Sequence, residues 1–103
     1  MAAGALRCLR YNAVMHFALL YDTVDNFIER RQPYRGEHLA NVDRAHRDGH
    51  LVMAGALKPT GALLIFRADA SSVVEEFART DPYVTSGLVV SWRIHEWTVV
   101  VGG

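Results

Sequence analysis

Two short stretches carry the side chains suited to proton chemistry. Asp81-Pro82-Tyr83-Val84-Thr85-Ser86-Gly87 puts a carboxylate, a phenol, two hydroxyls and a glycine within seven residues. Arg31-Gln32-Pro33-Tyr34-Arg35-Gly36-Glu37-His38-Leu39 puts a histidine about one helical turn beyond a proline and an aromatic. Histidine is the side chain that titrates near neutrality without help from its surroundings. A carboxylate paired with it would orient the ring and stabilise the imidazolium. His38 and Asp81 would form such a pair if the fold brought two helix starts into one pocket. Each residue also has a plainer reading. Pro82 biases Asp81 away from helical dihedrals and suits the first turn of a new helix, so Asp81 is a natural N-cap. His38 follows Tyr34 and precedes Val42 by four residues, beside an apolar stripe, where a core histidine can be satisfied by a backbone carbonyl.

Those two stretches need elements to hold them. His16-Phe17-Ala18-Leu19-Leu20-Tyr21 is a nearly continuous apolar run and predicts a strand buried on both faces. A turn follows over 22–25, with Thr23 or Asp25 as the cap of a short helix at 27–31. A longer helix is predicted from Pro33 to about Asp48, with Pro33 in its first turn and Gly49 just past its end. Leu39, Val42, Ala45 and His46 mark its inner stripe. Leu51 to Leu57 and Ala62 to Arg67 read as two strands of a hairpin around Lys58-Pro59-Thr60-Gly61. Ser72 and Glu75 have capping-box spacing ahead of a helix whose inner residues are Val73, Val74, Phe77 and Ala78. Val89 to Val101 is a long strand region, wet on part of one face at Ser91, Arg93 and Glu96.

The predicted order is βαββαβ, an α+β domain of the split-βαβ, ferredoxin-like kind, with an antiparallel sheet and both helices on one face. Strands this apolar should not leave the other face to water, which predicts a homodimer. The chain has 103 residues, half of them hydrophobic, with 11 basic and 11 acidic side chains. That balance offers no basic stripe for nucleic acid. No apolar run approaches the ~20 residues that span a bilayer, so no membrane partner is expected. A single cysteine, Cys8, excludes an intrachain disulfide and favours a reducing cytoplasm. Residues 1–14 lack either period and are predicted to be an extension, with one domain over 15–103. His46 and His50 are four apart, as in zinc helices. Gly49 should end the helix between them, and no glutamate completes a His-Glu-x-x-His pattern, so no metal is expected.

The stretches His16-Phe17-Ala18-Leu19-Leu20-Tyr21-Asp22, Arg31…Pro33-Tyr34-Arg35…His38-Leu39, Gly49…Leu51-Val52-Met53-Ala54-Gly55-Ala56-Leu57 and Asp81-Pro82-Tyr83…Ser86-Gly87-Leu88 occur in that order. Together they resemble the YciI-like (YCII-related) family, from about Met15 to Val101. Ala54 stands where many members have a second glycine. The resemblance implies a ferredoxin-like dimer, a small-molecule substrate, and no metal or organic cofactor. It implies a histidine–aspartate pair, here His38 and Asp81, with Ser86 at a nearby hydroxyl position. The activities best described in the family are dehydrochlorinations in the breakdown of chlorinated aromatics, including chlorohydroxyquinol. A non-catalytic ligand-binding or interaction module on the same fold is the alternative. A ring-cleaving or haem-handling relative of this architecture is a weaker one.

Within that frame Ser86 has no Gly-x-Ser-x-Gly elbow and suits a hydrogen bond to a substrate hydroxyl better than nucleophilic attack; a helix-end cap is its plainer role. Tyr34, Arg35 and Tyr83 are the candidate substrate contacts, the tyrosines as walls for a ring and Arg35, with Arg31, as a partner for an anion. A solvated helix face accounts for the arginines equally well. Trp92 and Trp97 are expected in core or dimer packing.

Overall fold

The computed structural model describes residues 14–103. The predicted extension therefore lies outside the described residues up to position 13, Cys8 included. The elements run β1 (Met15–Thr23), α1 (Phe27–Arg30), α2 (Gln32–Arg47), β2 (Leu51–Ala56), β3 (Ala62–Ala68), α3 (Ser71–Thr80), α4 (Pro82–Thr85) and β4 (Val89–Trp97). The strands form one sheet in the order β2-β3-β1-β4, every neighbouring pair antiparallel. That is the split-βαβ arrangement expected from the sequence, with two four-residue helices, α1 and α4, added to the two main ones. Among the described residues no helix is long and apolar enough to cross a membrane.

Side chains alternate across a strand, so the register decides what meets in the core. Leu19 stands between Leu64 and Ile94, and Phe17 lies opposite Phe66. Phe17, Leu19 and Tyr21 are buried with Leu64, Phe66, Val74 and Ala78 in one cluster on the helix side of the sheet. The intervening His16, Ala18 and Leu20 are half-buried, so β1 is dry on one face only. On that second face Met53 is 64% and Trp97 48% exposed, while Ile65 is buried.

The long helix α2 contains no fully buried residue. Val42 and Ala45 pack against the core from outside, and His46, expected in the inner stripe, is exposed. Opposite α2 the sheet carries small side chains: Ala54 lies beside Leu64, and Ala56 beside Ala62. The helix thus stands off the sheet edge with nothing large to fill the gap. It ends as predicted at Gly49, whose φ of 85° places it in the left-handed region. The Gly49 N–H donates to the His46 carbonyl and the His50 N–H to the Ala45 carbonyl, the paired bonds of a Schellman motif.

Three expected details differ. The N-cap of α1 is Asn26, without a side-chain bond, and the Thr23 hydroxyl instead accepts from the Gly61 N–H at 3.1 Å. The capping box at Ser72 does not form, because α3 starts at Ser71 with Ala70 as its N-cap, two residues earlier than a Ser72 cap requires; Ser71 donates to Glu75 at 3.3 Å from inside the helix. Strand β4 stops at Trp97, four residues short of the expected end at Val101. Its last register partner is His16, next to the first residue of β1, and a strand cannot outrun its ladder.

Candidate active site

The chain between α3 and α4 is built around Asp81. Its extended backbone (φ −68°, ψ 126°) ends α3 and caps α4, as the following proline requires. Its side chain is fully buried. Oδ1 accepts the Tyr83 N–H at 3.0 Å, which is the N-cap bond. The same oxygen meets His38 Nδ1 at 2.8 Å. Oδ2 accepts the Tyr21 hydroxyl at 2.7 Å. The cap and the pair, set against each other in the sequence, are therefore one residue's two duties. Three converging partners hold the carboxylate, as a buried charged group requires. Burial, with Asp81 alongside, pushes the Tyr21 phenol well above the ordinary tyrosine range, so it stays protonated and donates.

His38 rides on the second turn of α2, with 13% of its side chain exposed. With Asp81 accepting only, the imidazole carries its proton on Nδ1, and Nε2 is the nitrogen left for other partners. The ring lies nearly parallel to that of Tyr83, with centroids 3.8 Å apart and planes at 12°. Tyr83 is buttressed edge-on by Phe27 at 5.2 Å. The imidazole is thus fixed in position by a hydrogen bond and in tilt by a stack.

The gap beneath α2 is a cavity of about 300 Å³, and His38 lines it. Ala54, Ala56 and Leu64 form its floor, and Leu39 and Val42 its helix wall. Arg31, Arg35 and Tyr83 supply the remaining polar lining. Arg31 sits at the junction of α1 and α2, its guanidinium 5.6 Å from the centre of the Phe27 ring. Burial raises the Tyr83 phenol above its usual range, against the opposing charges of Arg31 and Arg35; the Arg35 guanidinium lies near enough to the phenol oxygen to favour its anion, without the geometry of a formed hydrogen bond, and the hydroxyl keeps its proton. An apolar slot with a few convergent polar groups and a fixed imidazole is equipped to bind a small ring and move protons on it.

Of the residues singled out in the sequence, His38, Asp81, Tyr83 and Arg35 come together here. Tyr34 is 39% exposed and is not part of the lining. Ser86 closes α4, exposed, its hydroxyl 3.5 Å from the Tyr83 carbonyl and outside the cavity wall. Trp92 packs partly buried against the core. Tyr21 was not singled out, although a signal was present: a phenol on the buried face of an apolar strand must find a partner. Among the described residues no three His, Cys, Asp or Glu side chains gather as a metal site.

The YCII-related domain profile matches residues 15–98, most of the chain, and the protein belongs to that family. None of the curated proteins searched matches the sequence. Among solved structures the fold is similar to 5-chloro-2-hydroxyhydroquinone dehydrochlorinase from Burkholderia phenoliruptrix AC1100, in complex with 2,5-dihydroxybenzoquinone. The TM-score is 0.71 at 20% identity, over 82% of this chain and 94% of that one.

Proposed function

We propose that the protein is an acid/base enzyme acting on a small hydroxylated aromatic, and that its reaction is loss of hydrogen chloride from a chlorinated hydroxyquinol. The observation that carries this reading is His38, fixed at Nδ1 by the buried Asp81, lining a cavity suited to one aromatic ring. The similar solved dehydrochlorinase supplies the substrate class. Nε2 of His38 takes a proton from a ring hydroxyl and delivers it to the carbon bearing chlorine. That carbon becomes tetrahedral. A second hydroxyl then loses its proton as the ring electrons expel chloride, and the product is a hydroxyquinone. Two hydroxyl protons leave, one proton is added to carbon, and one chloride departs, so the net loss is HCl with no external oxidant. Asp81 orients the ring and stabilises the imidazolium; positioned acid–base help of this kind contributes ~10²–10⁴-fold.

The test is chloride release from a chlorinated hydroxyquinol by the purified protein, with unsubstituted catechol as blank and a chelator control. Release above the spontaneous rate is expected, unchanged by chelator. Release at the spontaneous rate would leave the cavity as a binding site, the alternative reading.

We also propose that two copies pair through the sheet face opposite the helices. Half-buried Leu20 and Leu63 lie there beside exposed Met53 and Trp97. Light scattering at micromolar concentration should give twice the chain mass; a monodisperse monomer contradicts the pairing.

A further inference from the structure

Among the described residues, three buried side-chain nitrogen or oxygen atoms have no hydrogen-bond partner: His16 Nε2, Arg31 Nε and Tyr83 Oη. Two of the three belong to residues lining the same cavity. Buried polar groups are nearly always satisfied, and an orphan costs about 1–3 kcal/mol. Both residues line one cavity, so a single ligand there would account for both. Both are donors. Arginine has no acceptor, and Tyr83 is 3% exposed and keeps its proton. Arg35 adds a second positive charge to the same lining. The complement of two or three donors carrying positive charge is an oxygen bearing negative charge.

We propose that this wall binds an ionised ring oxygen, so that the ligand of the cavity is a planar phenolate or enolate anion rather than a neutral phenol. The proposal rests on the reading of the cavity as the substrate site. It also changes the proton inventory. A hydroxyquinol that arrives as a monoanion needs no first deprotonation. His38 then enters as imidazolium and protonates the chlorine-bearing carbon. The neutral imidazole next takes the proton of a second hydroxyl as chloride leaves. Substrate monoanion becomes quinone plus chloride, and His38 returns to its starting state with atoms and charge balanced. Charge held on the oxygen by Arg31, Arg35 and Tyr83 keeps the substrate in the form whose ring carbon accepts a proton. These three are substrate-binding residues, at the opposite task from Asp81, which serves the substrate only through His38.

The experiment is calorimetric binding at pH 7 with the full chain and two inert ring probes. In 2,5-dihydroxybenzoquinone each hydroxyl is conjugated to a carbonyl, which makes it a vinylogous carboxylic acid and an anion at neutral pH. Hydroquinone is a planar six-membered ring with two oxygens fewer, and stays neutral. The anion is expected to bind about tenfold to hundredfold more tightly, the range of one charged hydrogen bond. Arg31→Gln should remove most of that preference and leave hydroquinone within about twofold. Arg31→Lys should restore it in part, since charge returns without the planar fork. Because Arg31 also contacts Phe27, Arg35→Gln and Tyr83→Phe provide variants that keep that contact, and each should reduce the preference. Equal affinity for the two probes overturns the proposal, as does a preference that survives in both arginine variants. An anion preference without chloride release upholds this inference and removes the dehydrochlorination reading. Chloride release without an anion preference does the reverse.

Discussion

Two sets of polar groups, one behind His38 and one in the cavity lining, differ in how far they are satisfied. At the Asp81 end a fully buried carboxylate takes bonds from His38, Tyr21 and the Tyr83 N–H, all between 2.7 and 3.0 Å. At the Arg31 end a guanidinium nitrogen and the Tyr83 hydroxyl are buried with no partner among the described residues. Tyr83 belongs to both, its backbone completing one end and its hydroxyl left open at the other. The closed end is complete without a ligand and holds one imidazole rigidly, which is what proton transfer needs. On the proposed reading, the open end is where an anionic ligand gains its binding energy. A site that binds and reacts needs both conditions, and here Tyr83 takes part in both.

That contrast can be broken from the closed end first. Asp81→Ala strips three donors of their acceptor and α4 of its cap. The expected loss is about 3–5 kcal/mol of stability, read from urea unfolding; a loss below 1 kcal/mol would mean the network is not held as described. Asp81→Asn keeps the shape and should lose less activity than His38→Ala, since an orienting group is being weakened and not the proton carrier. Tyr21→Phe leaves Oδ2 of Asp81 one donor short, at an expected cost of about 1.5–3 kcal/mol, the range for a bond to a charged group.

The raised Tyr21 phenol gives a pH signature with a definite sign. In the unfolded chain it ionises near pH 10, whereas in the fold it stays protonated well beyond that. Its contribution is therefore complete below about pH 10 and is lost as pH climbs above it. Melting temperature should fall through that window, more gently in Tyr21→Phe. The smallest effect is expected at Ser86. Ser86→Ala should change stability by less than ~0.5 kcal/mol. Its KM for the chlorinated hydroxyquinol should match wild type, because the exposed hydroxyl lies outside the cavity wall. A raised KM would bring Ser86 to the substrate.

Periodicity and punctuation carried most of the fold. Gly49, Pro33 and Pro82 mark backbone constraints that act locally, and the elements begin and end near them. The strand length of β4 was not legible in the same way, because its end is set by pairing with His16 at the far end of the chain. The stripe on α2 was misread at His46 for a related reason. Periodicity reports which residues are apolar, but not that small residues at Ala54, Ala56 and Ala62 leave the space beside α2 unfilled. In the site, residue types drew attention to His38 and Asp81, and the family resemblance joined them. Tyr21 was hidden by its neighbours, since a phenol among apolar residues reads first as core. The unpaired state of Arg31 and Tyr83 depends on what does not reach them in three dimensions, and no spacing encodes that.

The central claim is that the His38–Asp81 pair performs chemistry and is not a structural cap with a histidine attached. The most direct measurement compares chloride release by wild type and His38→Ala on a chlorinated hydroxyquinol, alongside the circular dichroism and melting curve of each. The account predicts a kcat lower by ~10²–10⁴-fold in the variant with the fold retained. A folded His38→Ala protein that releases chloride as fast as wild type would contradict it.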